Sequence, residues 1–156
     1  MKNIQQWLDE YGESHQNPTN KKIHWICVPL IMMSLLALIS LIPFPKLTGN
    51  HILDSWETIF LLYCIIFYLR MSFTIAVGML FIAFLMICGI NWLGSFDDVV
   101  SLWVLSLAIF VLAWVGQFIG HKIEGKKPSF LEDLQFLLIG PAWLLSFIYK
   151  KLNIRY

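Results

Sequence analysis

The sequence predicts an all-α fold, a polytopic helical membrane protein with about four transmembrane helices plus a short re-entrant or interfacial C-terminal helix. Three observations predict it. Of 156 residues, 58% are apolar and only 13% are charged, against about 25% charged in ordinary soluble domains, too few polar side chains to cover a water-facing surface. The apolar residues gather in runs of span length that hold at most one charge. The breaks between runs carry helix-stopping residues such as Pro43, Pro45 and Gly94. The same composition excludes a disordered chain. A net charge of +1 gives no reason to expect nucleic acid as a partner. Cys27, Cys64 and Cys88 stand singly in apolar runs and read as small buried hydrophobes, not as a disulfide framework or zinc knuckle.

Residues 1–24 form a polar N-terminal segment. The run from Trp25 to Phe44 is longer than a signal-peptide core and has no A-x-A-like cleavage site, so it is expected to be a retained first span over about 26–42. Pro43-Phe44-Pro45 ends it by removing two helix donors. From Ile59 to Leu93 the only charge is Arg70. As one helix that stretch would reach roughly 50 Å, against a hydrocarbon core of about 30 Å. Two spans are therefore expected, about 56–69 and 71–92, meeting near Arg70, although Leu69-Arg70-Met71-Ser72 lacks turn chemistry. The Gly94–Asp98 break precedes a fourth span at about 99–119. A polar segment, 120–135, leads to an apolar segment, 136–149, which is short for a span and contains Gly140-Pro141. With no internal repeat, a single integral membrane domain over 1–156 is expected.

Charge asymmetry orients this layout. With the N-terminus in the cytoplasm, Lys2, Lys21, Lys22, Arg70, Lys122, Lys126, Lys127, Lys150, Lys151 and Arg155 all lie inside and Lys46 alone lies outside. Short loops and no cleavable signal point to a bacterial inner membrane, or to the endoplasmic reticulum in a eukaryote. Trp25, Trp56, Trp92 and Tyr149 fit an aromatic belt. Met32-Met33 reads as packing, and Arg70 as a snorkelling side chain.

Three of the four histidines, His15, His24 and His121, fall on one side of the membrane in this arrangement, and His51 falls opposite. Gln117, His121 and Glu124 share a helical face at i, i+4 and i+7. His15 and His24, nine residues apart, would point in opposite directions on a straight helix. Pro18 breaks the helix, and Thr19 or Asn20 is expected to cap a new one that starts just before His24. Taken singly, each residue has an ordinary reading: a histidine at a span end tolerates both media, and Glu124 could pair with Lys127. Three histidines and a glutamate converging in a chain with so few polar groups point instead to a metal or acid-base site. No G-x-S-x-G, P-loop, G-x-G-x-x-G or H-E-x-x-H is present, so serine hydrolase, nucleotide-dependent and zincin chemistries have no support.

The pattern Tyr11-x3-His15, Asn20-x3-His24-x4-Pro29, then Gln117-x2-Gly120-His121-x2-Glu124-x3-Pro128, resembles the Mpo1-like 2-hydroxy fatty acid dioxygenases, small polytopic membrane proteins. The likeness extends to Gly140-Pro141 and covers nearly the whole chain. Two positions depart from the family pattern, Cys27 where glycine is expected and Ser129 where alanine often stands. The resemblance implies an Fe(II)-dependent enzyme that takes a 2-hydroxy fatty acid and O2 to the fatty acid one carbon shorter plus CO2. An α-hydroxy carboxylate can chelate Fe(II) and still leave a position for O2 when the protein supplies about three ligands. The four electrons released by the substrate match those O2 accepts, so no second reductant is needed. By matching positions, His15, His24 and His121 are the expected ligands, with Glu124 as a fourth ligand or as a base orienting a ligand imidazole. Asn20 and Gln117 are candidate supporting donors, and Tyr11 a candidate hydrogen-bond partner of oxygen or substrate. Lys21, Lys22 and Lys126, beside Lys127, could draw in the carboxylate. The acyl chain would lie among the spans in contact with membrane lipid. Two other functions stay open on the residues alone: a zinc-dependent membrane lipid hydrolase or amidase, and a non-enzymatic lipid-binding membrane protein.

Overall fold

The computed structural model describes residues 3–50, 53–95, 102–125 and 136–156. Regular structure within them is helical: α1 (Ile4–Glu13), α2 (Pro18–Ser40), α3 (Trp56–Met71), α4 (Phe73–Gly94), α5 (Leu102–Glu124) and α6 (Ile139–Lys151). His51, most of the break after Gly94 with Asp97 and Asp98, and Lys126, Lys127, Pro128 and Ser129 lie outside the described residues.

The N-terminal polar segment holds a helix of its own. Asn3 accepts from the Gln6 amide while the Gln6 side chain accepts from the Asn3 amide, a reciprocal cap. Ile4, Leu8 and Tyr11 then bury one stripe of α1. The first long helix begins at Pro18, eight residues before the expected span, and its cap is Asn17 rather than Thr19 or Asn20. The Asn17 side chain accepts from the amides of Thr19 and Asn20 at 2.8 and 3.4 Å. Proline suits the first helical position because its missing donor would be unpaired there anyway.

The seam expected at Arg70 falls two residues later. Ser72 is the C-cap of α3 and the N-cap of α4 at once: its extended backbone breaks the helix, its N–H donates to Tyr68 O at 2.8 Å, and its side chain accepts from the Ile75 amide. Among the described residues three helices, α2, α4 and α5, are long and apolar enough to cross a membrane. The fourth expected span, α3, is not confirmed. At 16 residues, α3 spans about 24 Å, short of the roughly 30 Å core. Phe73, Phe81 and Phe84 of α4 and Leu112 of α5 are each at least 60% exposed, an outward apolar surface suited to lipid.

The C-terminal helix packs into the protein: α6 is buried continuously from Ile139 to Ser146 and packs against α1, α2 and α4. A helix that is apolar all round has no water-facing side to offer, so the protein interior is its stable place. Tyr68 Oη donates to Leu138 O at 2.7 Å and Tyr149 Oη donates to Thr74 O at 2.9 Å, pinning both ends of α6 to the α3–α4 hairpin.

The broadest helix contact joins α2 and α5. Gly116 faces Cys27 and Ile23, whereas Gly120 faces Asn20, so the two helices run antiparallel. Small residues four apart allow this approach: a Cβ on Gly116 would stand 2.6 Å from Cys27 Sγ. Gly116→Ala is expected to cost about 1–3 kcal/mol from overpacking, read as a lower midpoint of thermal unfolding in detergent. Adding Cys27→Ala should recover most of the loss, and an additive double variant would show that the sulfur is not the obstacle.

Candidate metal centre

The α2–α5 contact brings the start of one helix beside the end of the other, and three histidines meet there. His15 follows α1, His24 lies early in α2 and His121 lies near the end of α5. All three are buried, and each offers a ring nitrogen within 4.8 Å of the others'. The planes of His15, His24 and His121 stand nearly perpendicular to one another, at 81°, 69° and 88°, with ring centroids 4.2–5.2 Å apart.

Two of the rings are oriented by the same local device. His15 Nδ1 lies 2.6 Å from Tyr11 O, four residues back, and His24 Nδ1 lies 3.0 Å from Asn20 O, also four back. A carbonyl oxygen can only accept, so both Nδ1 atoms carry the proton and donate. Both Nε2 atoms are left with bare lone pairs, and these face each other at 2.9 Å. Two lone pairs repel at that distance unless a cation lies between or beside them. A shared proton is disfavoured because burial pushes the His15 imidazole down to about 4, against the ordinary 6.5. Two nitrogens bound at about 2.1 Å to one metal ion would stand about 3.0 Å apart at an octahedral angle and about 3.4 Å apart at a tetrahedral one, so the donor set and the spacing of this pair are compatible with a metal.

Glu124 takes a different place from the imidazoles. It is half-buried at the end of α5, and its carboxylate accepts from the Gln16 amide at 2.8 Å, the Asn17 amide at 2.9 Å and Asn20 Nδ2 at 3.0 Å. The glutamate expected as a fourth ligand stands outside the three-histidine group. It clamps the turn from which His15 and His24 both hang. Fully buried Asn20 links these parts: its carbonyl orients His24, its Nδ2 donates to Glu124 and to Ser14 O, and its Oδ1 packs on Gly120.

Tyr11 stacks on the His15 ring at 4.2 Å and 13°, and it lines an apolar recess with His24, Gln117 and His121. Gln117 is buried there, and its Oε1 has no hydrogen-bond partner among the described residues. On the other side of His15, Lys21 and Lys150 line a polar opening to the surface, whereas Lys22 is exposed and turned away from both spaces. Sequence reasoning missed Trp143, 5.3 Å from both the Tyr11 and His15 rings, and Gly140, whose missing side chain makes room for the Tyr11 hydroxyl. A tryptophan in an apolar run reads as a belt residue, so no local signal marked it.

Fold and site together define a class, an apolar helical membrane protein with a buried three-histidine centre whose geometry is compatible with a metal ion. The chain belongs to the Mpo1-like family: the family model described as 2-hydroxy-palmitic acid dioxygenase Mpo1-like matches residues 1–152. It is 25% identical over 147 residues to the 2-hydroxy-palmitic acid dioxygenase MPO1 of Saccharomyces cerevisiae, covering 92% of this chain and 78% of that protein. No solved structure matches it.

Clamp and ligand roles for Glu124 are separable. Glu124→Ala should lower stability by about 1–3 kcal/mol through the unpaired amides, seen in thermal unfolding, yet keep most of the metal that copurifies with the wild type. His24→Ala should lose it. Equal metal loss in the two variants, measured by elemental analysis, would make the carboxylate a ligand.

Proposed function

We propose that the chain is an Fe(II)-dependent dioxygenase that converts a 2-hydroxy fatty acid and O2 to the fatty acid one carbon shorter, CO2 and water. The observation that carries this reading is the pair of facing Nε2 lone pairs with a third imidazole beside them. Family membership and the name of the yeast relative support the substrate class. His15, His24 and His121 would hold the iron through their ring nitrogens. When bound, Fe(II) supplies redox chemistry for O2 and a Lewis-acidic centre for an α-hydroxy carboxylate.

The remaining work falls to side chains. Gln117 Oε1, buried and unpartnered, is placed to accept a hydrogen bond from the 2-hydroxyl, which fixes the carbon that is cleaved. Tyr11 holds the His15 ring by stacking, and its position in the recess wall makes its hydroxyl a candidate donor to substrate oxygen. Lys21 and Lys150 line the polar opening together with Asp9 and Glu13, so they offer the carboxylate local partners rather than a net positive field. The apolar walls exclude water from the reacting carbon. With His24 near the start of α2 and His121 near the end of antiparallel α5, the centre sits at one edge of the membrane. The distribution of lysines and arginines supports a cytoplasmic edge.

Protein loaded anaerobically with Fe(II) and then given 2-hydroxypalmitate and O2 should yield pentadecanoate with one O2 consumed per acid. His24→Ala and His121→Ala should reduce turnover at least about a thousandfold while keeping the helical circular dichroism of the wild type. Gln117→Leu should reduce turnover with a larger rise in KM for the 2-hydroxy acid than for a plain fatty acid inhibitor's Ki. Full activity with zinc, and hydrolysis of an amide-linked lipid without O2 uptake, would replace this reading with a hydrolase.

A further inference from the structure

A second, apolar cavity adjoins the histidine recess. It lies between α2, α3 and α4, and the two spaces share Met32, Leu137 and Pro141 as common wall. We propose that this cavity is the acyl channel of the substrate, and that Leu36, Phe60 and Ala83 at its far end set the chain length accepted. The proposal rests on the dioxygenase reading for its substrate but concerns a different part of the molecule.

Three features carry it. First, the channel follows a stripe of α2 that begins at the site itself: His24, Val28, Met32 and Leu36 succeed one another at i+4 and share one helix face. Second, its wall offers a hydrocarbon nothing polar to compete for. Its one hydroxyl, on Tyr68, is turned away into a hydrogen bond with Leu138 O, leaving the ring as wall. Third, no residue lining the channel is exposed and its far end is stopped. Beyond Leu36, a buried cluster with Ala37 and Ile90 is packed by Phe60 and Leu61. Leu36 is twelve residues beyond His24, or about 18 Å at about 1.5 Å per residue. An extended chain advances about 1.25 Å per carbon for bonds of about 1.5 Å, so the channel takes about 14 carbons beyond the head group. Another apolar cavity, between α2, α4 and α6, also reaches Val28, Met32 and Pro141. Its wall includes Trp25 and Ile148, both more than 40% exposed, so it opens sideways and offers no floor against which a chain could be measured.

The test has a binding arm and a turnover arm, both on the full chain in detergent. In the first, 2-hydroxyhexadecanoate carrying a diazirine next to its terminal methyl is photolysed with the protein and the adducts are mapped. Adducts at Leu36, Phe60 or Leu61 support the channel whether or not the protein turns the acid over. Adducts at Trp25, Ile148 or the outer faces of α4 and α5 overturn it, even in a protein that is fully active. In the second, Ala83→Leu should lower the ratio of turnover of 2-hydroxyhexadecanoate to 2-hydroxydecanoate roughly tenfold, and Leu36→Ala should move the optimum toward longer chains. Unchanged ratios in both folded variants would overturn the assignment. Absent turnover in the wild type with adducts at the channel end would sink the dioxygenase reading and leave the channel standing.

Discussion

Everything at the centre of this protein depends on two imidazole nitrogens held 2.9 Å apart, each on a ring whose other nitrogen faces a backbone carbonyl. Neither ring chooses that arrangement freely. Each is turned by an Nδ1–H that reaches back four residues to a carbonyl, Tyr11 O for one and Asn20 O for the other. The first of those carbonyls belongs to the last turn of α1, where it accepts from the Ser14 amide at 3.3 Å and keeps a lone pair for a side-chain donor. The tautomer is thereby set by backbone geometry, and the repulsion that follows is one that a cation would relieve. Burial adds to the demand, because it holds His15 neutral and removes water as an alternative partner.

The third imidazole arrives through helix packing. His121 reaches the pair because α5 lies close against α2, and it lies close because Gly116 and Gly120 present no side chain to Cys27 and Asn20. The same approach carries Glu124 to the amides of Gln16 and Asn17. One helix therefore delivers a ring to the centre and a clamp to the turn that positions the other two rings. A change that moves α5 by an ångström would disturb all three histidines together, which couples stability to site geometry more tightly than the separate hydrogen bonds suggest.

Much of this was legible in the sequence, for physical reasons that differ by element. Long uncharged runs can only be buried or lipid-facing, so α2, α4 and α5 stand out, and Gln117, His121 and Glu124 share a face wherever α5 continues. The convergence of His15 and His24 also followed, since Pro18 had to break the chain between them. The fourth span is not confirmed, because α3 stops before Ser72 at 16 residues and the count of apolar residues alone could not place that end. A signal for α1 was present in Asn3-x2-Gln6, a capping pattern hidden by the polarity of its surroundings. Gly116-x3-Gly120 likewise marked the α2–α5 contact. The place of Glu124 was not legible: helical spacing puts a carboxylate on the face of His121 but says nothing of the amides of Gln16 and Asn17, more than a hundred residues away in the chain.

Moving Glu124 out of the histidine group changes the charge balance of the centre. Three imidazole ligands would bring no negative charge to a divalent ion, and within an apolar bundle an uncompensated charge is costly. The carboxylate of Glu124 lies near enough to exert a field but is half-exposed and already engaged by three donors. A bound anion is then the natural counter-charge. Under the proposed function a substrate carboxylate would supply it. A three-histidine ligand set would favour acids over neutral lipids such as alcohols or amides, because only an acid would settle the charge that such a set leaves open. The apolar walls of the recess act in the same direction, because an anion leaving the centre for the bundle would lose its cationic partner.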